Sequence, residues 1–175
     1  MSAATKRWPL AEAEHIAVGA MQQLEPHCEV ISLAGCLRRR RPAIGNIEIV
    51  CVPKAYESTP LFSSGIATVV NQWEKVRGEL PFPCRYTQRV LPEGIRLDLF
   101  MVHPDGYGLM RARRTGSVDW CRTVLDPALV RAGYRSAWGL LRRANGTVVP
   151  VRTEPELFEL IGLPWVDPRD REVGP

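Results

Sequence analysis

The sequence lacks the signatures of several protein classes. Charged residues, proline or glycine interrupt every apolar run, so none reaches the roughly 18 apolar residues of a membrane-spanning helix. The first ten residues lead into a polar stretch rather than into the apolar core of a signal peptide. The five cysteines form no C-x-x-C pair, which argues against a zinc or redox motif. We therefore expect a cytoplasmic, reducing location and no membrane partner.

What the chain does contain is an ordinary globular composition with a slight basic surplus. Hydrophobic residues make up 45% of the 175 residues and charged residues 24%, which fits one compact domain or two small lobes. The 23 basic residues exceed the 19 acidic ones, and 20 of them are arginine. Because arginine makes planar, two-pronged contacts with phosphate, this surplus favours phosphate-bearing partners.

Hydrophobic periodicity divides the chain into a mixed first part and a more helical second part. In the first part we predict a helix at 9–25, followed by strands at 29–34 and 46–52 that are joined by a basic turn. A second helix is predicted from Thr59 to Gly78. A hairpin of 85–91 with 95–102 is then predicted to lie beside the second strand. In the second part we predict helices at 105–113 and 117–132, the latter with Ser117 as N-cap. A type I′ hairpin is predicted at Asn145-Gly146. The last predicted helix begins with the capping box Thr153–Glu156 and ends at Gly162. The last ten residues are expected to be loosely ordered.

Three oxygen-bearing side chains occupy similar positions on two of these strands. Asn46 and Glu48 project from one face of their strand, and Asp98 shares a face of its own strand with Arg96. If the strands are neighbours, these oxygens converge as they do around hard cations such as Mg²⁺. By itself the pattern also fits solvent-facing residues of half-exposed strands.

The turn after the first strand begins with glycine and continues with arginine. Such a turn offers backbone N–H groups and guanidinium groups to a triphosphate. Considered alone, it fits better a solvated basic loop in which Gly35 only permits a tight turn.

Together, these segments resemble the nucleotidyltransferase signature of family X DNA polymerases, the polymerase beta-like enzymes. The resemblance begins with 35–39 and 46–50 and continues in the family's order from about residue 10 to residue 172. Residues 96–99 are similar to the strand of the third carboxylate, and residues 115–117 to the turn of the nucleotide pocket. Residues 133–140 and 162–164 are similar to the C-terminal subdomain.

The resemblance implies an α+β fold in two parts. Residues 1–103 would form a nucleotidyltransferase palm, a mixed β-sheet with flanking helices, and residues 104–175 a small thumb-like subdomain of helices and a β-hairpin. Because no room exists ahead of residue 10 for the lyase domain or the fingers of larger members, gap tethering through a 5′-phosphate is not expected.

The resemblance also implies a reaction and its participants. A DNA polymerase beta-like nucleotidyltransferase would use two Mg²⁺ or Mn²⁺ ions to join a nucleoside triphosphate to the 3′-hydroxyl of a DNA primer-template. It would act as a monomer, and DNA repair is one role of short family members. The alternative is a nucleic-acid or nucleotide-binding protein on the same scaffold, whose catalysis is weakened or lost through Asn46.

The family's functional residues transfer to three sets of positions. The catalytic and metal-binding set is Asn46, Glu48 and Asp98. The nucleotide-binding set is Gly35, Cys36, Arg39, Gly45, Thr115, Gly116 and Ser117. The DNA-binding set is Arg96, Arg114 and Arg122.

Several of these positions depart from the family pattern. Asn46 is an amide where the family has its first carboxylate, so it contributes no negative charge and metal binding should weaken. Glu48 keeps the charge of the usual aspartate on a longer side chain. Cys36 replaces a phosphate-contacting serine, and a thiol is a weaker donor than a hydroxyl. Arg113 and Arg114 stand in place of the aromatic pair that selects the sugar.

Overall fold

A computed structural model describes residues 6–54, 65–78 and 86–173. The chain divides into two compact units, Met1–Met101 and Val102–Pro175. Both units combine helices with a β-sheet, in agreement with the predicted α+β class. The predicted start of a helix at Thr59 and Pro60 lies outside the described residues.

The first unit contains seven strands and three helices in its described part. In chain order they are β1 (Trp8–Pro9), α1 (Leu10–Leu24), β2 (Cys28–Leu33), α2 (Gly35–Arg38), β3 (Ala43–Ile44), β4 (Asn46–Pro53), α3 (Gly65–Val70), β5 (Glu74–Arg77), β6 (Tyr86–Val90) and β7 (Arg96–Met101). A short 3₁₀ turn, Glu25–His27, joins α1 to β2. The predicted first helix and the predicted strands are thus confirmed to within a few residues.

A five-stranded mixed sheet organises this unit. Its strand order is β2-β4-β7-β6-β5, and β1 pairs separately with β3. The central strands β4 and β7 run parallel, while the other neighbours in the sheet are antiparallel. Alternate residues of β4 and β7 are fully buried in a core that includes the apolar side of α1: Ile47, Ile49, Cys51, Leu97, Leu99 and Met101. Polar residues between them therefore lie on the opposite face of the sheet.

One prediction for the first unit is wrong in detail. The helix expected to reach Gly78 ends at Val70, and residues 74–77 form the edge strand β5. The backbone hydrogen bonds of β5 come from its pairing with β6. The hydrophobic periodicity of residues 74–77 alone cannot predict this pairing, because β6 lies farther along the chain. The β5 strand is therefore an addition to the predicted sheet, whereas the basic turn predicted after β2 is present and begins as the short helix α2.

The second unit contains a helical segment, a small sheet and a closing helix. Its elements are α4 (Tyr107–Thr115), α5 (Val118–Trp120), α6 (Asp126–Arg131), β8 (Tyr134–Ala137), β9 (Leu140–Arg143), β10 (Val148–Val149) and α7 (Glu154–Leu160), with 3₁₀ turns at Pro104–Gly106 and Pro168–Asp170. The sheet order is β10-β9-β8, entirely antiparallel. The helices and this sheet enclose a separate apolar core around Leu141 and Phe158.

The predicted helix at 117–132 is confirmed in extent but is not a regular α-helix. A π-helical segment, Cys121–Leu125, lies between α5 and α6. Proline at position 127 lacks the N–H that an α-helical turn requires at this point, which is a physical reason for the wider turn. The predicted N-cap is confirmed, because the Ser117 hydroxyl accepts a hydrogen bond from the Trp120 N–H.

The hairpin predicted at Asn145-Gly146 is present as β9–β10, but its turn is not type I′. Gly146 has a positive φ of 86°, whereas Asn145 does not, and type I′ requires positive φ at both positions. The Gly146 N–H instead donates to the Arg143 carbonyl, which produces a longer loop. A type I′ arrangement occurs at Trp138-Gly139, between β8 and β9, where φ is 56° and 75°.

The end of the described chain is also ordered differently from the prediction. The capping box at Thr153 and Glu156 is confirmed, and Gly162 follows α7 with a φ of 64°. The expectation of a loose C-terminal segment is wrong, because Arg171 is fully buried and ion-paired with Glu154. None of the helices in the described ranges combines the length and apolar character needed to cross a bilayer.

Candidate active site

The two central strands of the first unit bring the predicted catalytic residues together. In the parallel register of β4 and β7, Glu48 lies opposite Asp98, and Asn46 lies opposite Arg96. Asp98 is only 7% exposed, while Glu48 and Asn46 are partly buried. Adjacent strands are about 4.8 Å apart, so the side chains of opposed residues on one face are close neighbours.

Both carboxylate oxygens of Asp98 accept hydrogen bonds. Asn46 Nδ2 donates to Oδ2 at 2.5 Å. The Tyr86 hydroxyl and Gln88 Nε2 donate to Oδ1 at 2.5 and 2.8 Å. These contacts hold the carboxylate plane between β4 and β6.

Tyr86 is itself oriented by a neighbouring arginine. Arg77 Nε and Nη2 donate to the Tyr86 hydroxyl oxygen at 3.3 and 3.0 Å. Burial, together with the hydrogen bond to Asp98, raises the pKa of Tyr86 above its ordinary value. The hydroxyl therefore stays protonated near neutral pH and donates a hydrogen bond to the Asp98 carboxylate.

Tyr86 and Gln88 were not predicted as part of this site. The register of the predicted hairpin could have indicated that both residues lie beside Asp98. If Leu91 pairs with Ile95 across the turn, Gln88 falls opposite Asp98, as the structure has it. Tyr86 lies two residues before Gln88 and hence on the same face of the strand.

Glu48 lies against the glycine that opens α2. Gly35 has a φ of 58°, and a Cβ atom added to it would lie only 1.7 Å from Glu48 Oε2. The Ala34 N–H donates to the Glu48 carbonyl at 2.9 Å, which fixes this turn to β4. Position 35 therefore needs glycine both for its backbone conformation and for the room that the carboxylate occupies.

The other predicted triphosphate-binding residues of the first unit lie on and after α2. Arg39 Nη2 donates to Cys36 Sγ at 3.3 Å, so the guanidinium folds back over the first turn. The first N–H groups of a helix have no partner within that helix. Gly45 immediately precedes β4, where a Cβ atom would lie 3.4 Å from Arg7 Nη1. The structure thus places Gly35 against Glu48, whereas Cys36 packs against the apolar core of this unit.

The site offers oxygen ligands but few carboxylates. In the described ranges, no three histidine, cysteine, aspartate or glutamate side chains form a group suited to a metal ion. The acidic residues of this site are Glu48 and Asp98, and Asn46 contributes an amide. In the present rotamer the amide nitrogen, not its oxygen, faces Asp98.

The remaining predicted nucleotide-binding residues belong to the second unit. Thr115 is buried at the end of α4, and Gly116 packs against Trp120, where a Cβ atom would lie 2.4 Å from the indole ring. Ser117 caps the next helix. Of the predicted DNA-binding residues, Arg96 and Arg122 are exposed and Arg114 is partly buried.

The second unit also contains a cavity of about 490 Å³ with a basic lining. Three arginines contribute to it: Arg113, Arg114 and Arg135. Arg113 Nη2 forms an ion pair with Asp126 Oδ1 at 2.5 Å. The two arginines that replace the expected aromatic pair therefore both line this cavity, and Arg113 is paired there with Asp126.

A comparison with known families supports a relationship for the second unit. Residues 110–172 match the family model of the DNA polymerase beta thumb. The match supports the predicted relationship to family X polymerases, and with it a polymerase-like, DNA-binding function. No curated protein matches the chain.

Proposed function

We propose that this protein is a divalent-cation-dependent nucleotidyltransferase that adds nucleoside monophosphates to the 3′-hydroxyl of a DNA primer. The observation that carries the proposal is the parallel register that sets Glu48 opposite Asp98, with Gly35 against the Glu48 carboxylate. The thumb match of the second unit supports the same class of enzyme. DNA, a nucleoside triphosphate and Mg²⁺ or Mn²⁺ are the proposed partners.

The donor set fits a hard divalent cation. Glu48 and Asp98 would supply carboxylate oxygens, and Asn46 would supply Oδ1 after rotation of its amide. When bound, two such ions would polarise the transferring phosphoryl group and favour deprotonation of the attacking hydroxyl. With two carboxylates among the described residues of the site, we expect these ions to be held weakly.

The protein's own residues would act by positioning and by charge neutralisation, which dominate phosphoryl transfer. Asp98 would accept the proton of the primer hydroxyl, while Tyr86 and Gln88 keep its carboxylate in one orientation. Arg39 and the backbone N–H groups at the start of α2 would hold the β- and γ-phosphates. In the second unit, Gly116 and Ser117 remain the proposed nucleotide contacts, whereas Thr115 is fully buried and would support their turn.

The DNA-binding part of the proposal rests on exposed arginines. Arg96 and Arg122 would contact the DNA backbone, and Arg114 would do so from the edge of the basic cavity. Phosphate contacts of this type weaken as salt increases, because binding releases counterions.

One observation favours the alternative of a DNA-binding protein without catalysis. The Asn46 amide and the Asp98 carboxylate satisfy each other directly at 2.5 Å. Such a hydrogen bond is stable without any cation. The scaffold would then bind DNA while the reaction is lost.

Primer extension separates the two functions. A labelled primer-template is incubated with the four dNTPs and Mn²⁺, and we expect extension by the wild type. Asp98→Ala should abolish it, whereas Glu93→Ala, which removes an exposed acid in the β6–β7 turn, should leave it unchanged. DNA binding without extension in either Mg²⁺ or Mn²⁺ would favour the binding-only alternative.

A further inference from the structure

The tip of the β8–β9 hairpin presents an unusual tryptophan. Trp138 is 80% exposed and has a positive φ of 56°. It shares a two-residue turn with Gly139, between the paired residues Ala137 and Leu140. Type I′ turns of this kind strongly prefer Asn-Gly, because a bulky residue is strained at positive φ.

Tryptophan is not the residue that a type I′ turn itself favours at this position. The residue combines backbone strain with a large apolar ring in water, and an asparagine would avoid both. Strained residues outside glycine concentrate at ligand-binding places, where the surrounding structure maintains them. The turn gives Trp138 a defined backbone conformation and leaves most of its side chain exposed to solvent.

The strands on either side of this tryptophan are strongly basic. Between Asp126 and Glu154 the sequence contains five arginines and no acidic residue. Arg135 and Arg142 are direct cross-strand partners in the hairpin. Like charges directly opposite each other destabilise a sheet, and a bound anion would relieve that repulsion. Arg142 Nη1 also donates to the Gly146 carbonyl at 2.9 Å. The hairpin is therefore complementary to a polyanion.

We infer that the β8–β9 hairpin binds single-stranded DNA, with Trp138 stacked on an unpaired base and Arg135 and Arg142 beside the adjacent phosphates. Aromatic platforms flanked by cationic side chains bind single strands in this way. In a duplex the base faces are covered by their neighbours, so the indole has no surface to stack on. The inference rests on the proposed function only for the class of partner, DNA.

Fluorescence anisotropy with the full chain tests this inference. The probes are a labelled dT20 strand and a labelled blunt duplex of two annealed strands without a loop, at about 0.1 M salt, where the Debye length is about 10 Å, without nucleotide or metal. The decisive variant is Trp138→Asn. Because Asn-Gly is the preferred pair for a type I′ turn, this variant should fold at least as well as the wild type. Thermal unfolding checks that it does.

The expected pattern separates stacking from general charge attraction. Trp138→Asn should bind dT20 about tenfold more weakly, since stacking on one base accounts for that order of affinity. Its affinity for the blunt duplex should change less than twofold. Trp138→Phe should retain most of the dT20 affinity. Val18→Asn, an exposed apolar-to-amide change on α1, is the matched control and should have no effect.

Two results would overturn the inference. One is an unchanged dT20 affinity of Trp138→Asn, and the other is an equal loss on dT20 and on the duplex. Because no nucleotide or metal is present, failure of primer extension would not alter this result. Conversely, if the wild type extends a primer and Trp138→Asn binds dT20 as tightly as the wild type, this inference is wrong while the proposed function is unaffected.

Discussion

At the scale of single residues, Asn46 determines the charge of the candidate active site. Its amide donates to Asp98, whereas a carboxylate at the same position would repel Asp98 and attract a cation. Glu48 is the other acidic side chain in this group. An aspartate at position 46 would therefore favour cation binding and would destabilise the cation-free protein.

We expect Asn46→Asp to bind Mn²⁺ at least about tenfold more tightly, because one added charge contributes more than the 1.4 kcal/mol that a tenfold change represents. The metal-free variant should unfold at a lower temperature than the wild type, and Mn²⁺ should reverse this difference. Titration calorimetry and thermal unfolding with and without Mn²⁺ measure both effects. Primer extension should also accelerate. An unchanged or lower rate would show that the site has adapted to asparagine.

At the scale of elements, the contact of α2 with β4 gives the site its shape. Gly35 starts the helical turn, and its missing side chain leaves the room that the Glu48 carboxylate occupies. The Ala34–Glu48 backbone hydrogen bond ties the turn to the strand. The same contact thus positions both a proposed metal ligand and the proposed triphosphate turn.

We therefore expect Gly35→Ala to displace the Glu48 carboxylate and to strain the backbone. A displacement of about 1 Å in a reacting group reduces turnover by about 100-fold. Mn²⁺ affinity should fall as well, since a proposed ligand moves. The matched control is Gly19→Ala in α1, where no atom lies within 4 Å of the added methyl group. Equal activity of the two variants in primer extension would contradict the proposed role of the turn.

At the scale of the whole molecule, each unit has its own core, and the second unit is closed by a buried ion pair. Arg171 Nη1 donates to Glu154 Oε1 at 2.7 Å, and both side chains are fully buried. The guanidinium also lies over the rings of Phe158 and Trp165, each 4.9 Å away. These contacts join the C-terminal segment to α7 and order it.

Glu154→Gln should strongly destabilise the protein, because it leaves the Arg171 charge buried without its counterion. We expect a loss of about 3 kcal/mol in the free energy of unfolding. Urea denaturation followed by tryptophan fluorescence measures it. Glu159→Gln, on the exposed side of the same helix, should change the free energy of unfolding by less than about 0.5 kcal/mol. Similar losses for both variants would contradict the importance of the buried pair.

Much of the local structure follows from the sequence alone. The alternation of Ile47, Glu48 and Ile49 determines which side chains face the core, because strands have a period of two residues. The Ser117 cap and the Thr153 capping box are local hydrogen-bond patterns, and both are present. These features depend on neighbours within four residues, so the sequence contains their full description.

Other features depended on contacts between distant segments, and only the tertiary structure decided them. The edge strand at 74–77 forms because β6 pairs with it, although its residues continue a helical pattern. The donors Tyr86 and Gln88 reach Asp98 through the register of a hairpin. Arg171 is buried because three aromatic rings surround it.

The sequence by itself determined the residue types of the candidate site and their side of each strand. Only the tertiary structure decided that β4 and β7 are parallel neighbours and that Glu48 lies opposite Asp98. The physical reason is that side-chain direction is set by backbone period within one strand. Strand adjacency and register are instead set by the burial and hydrogen bonding of the whole sheet.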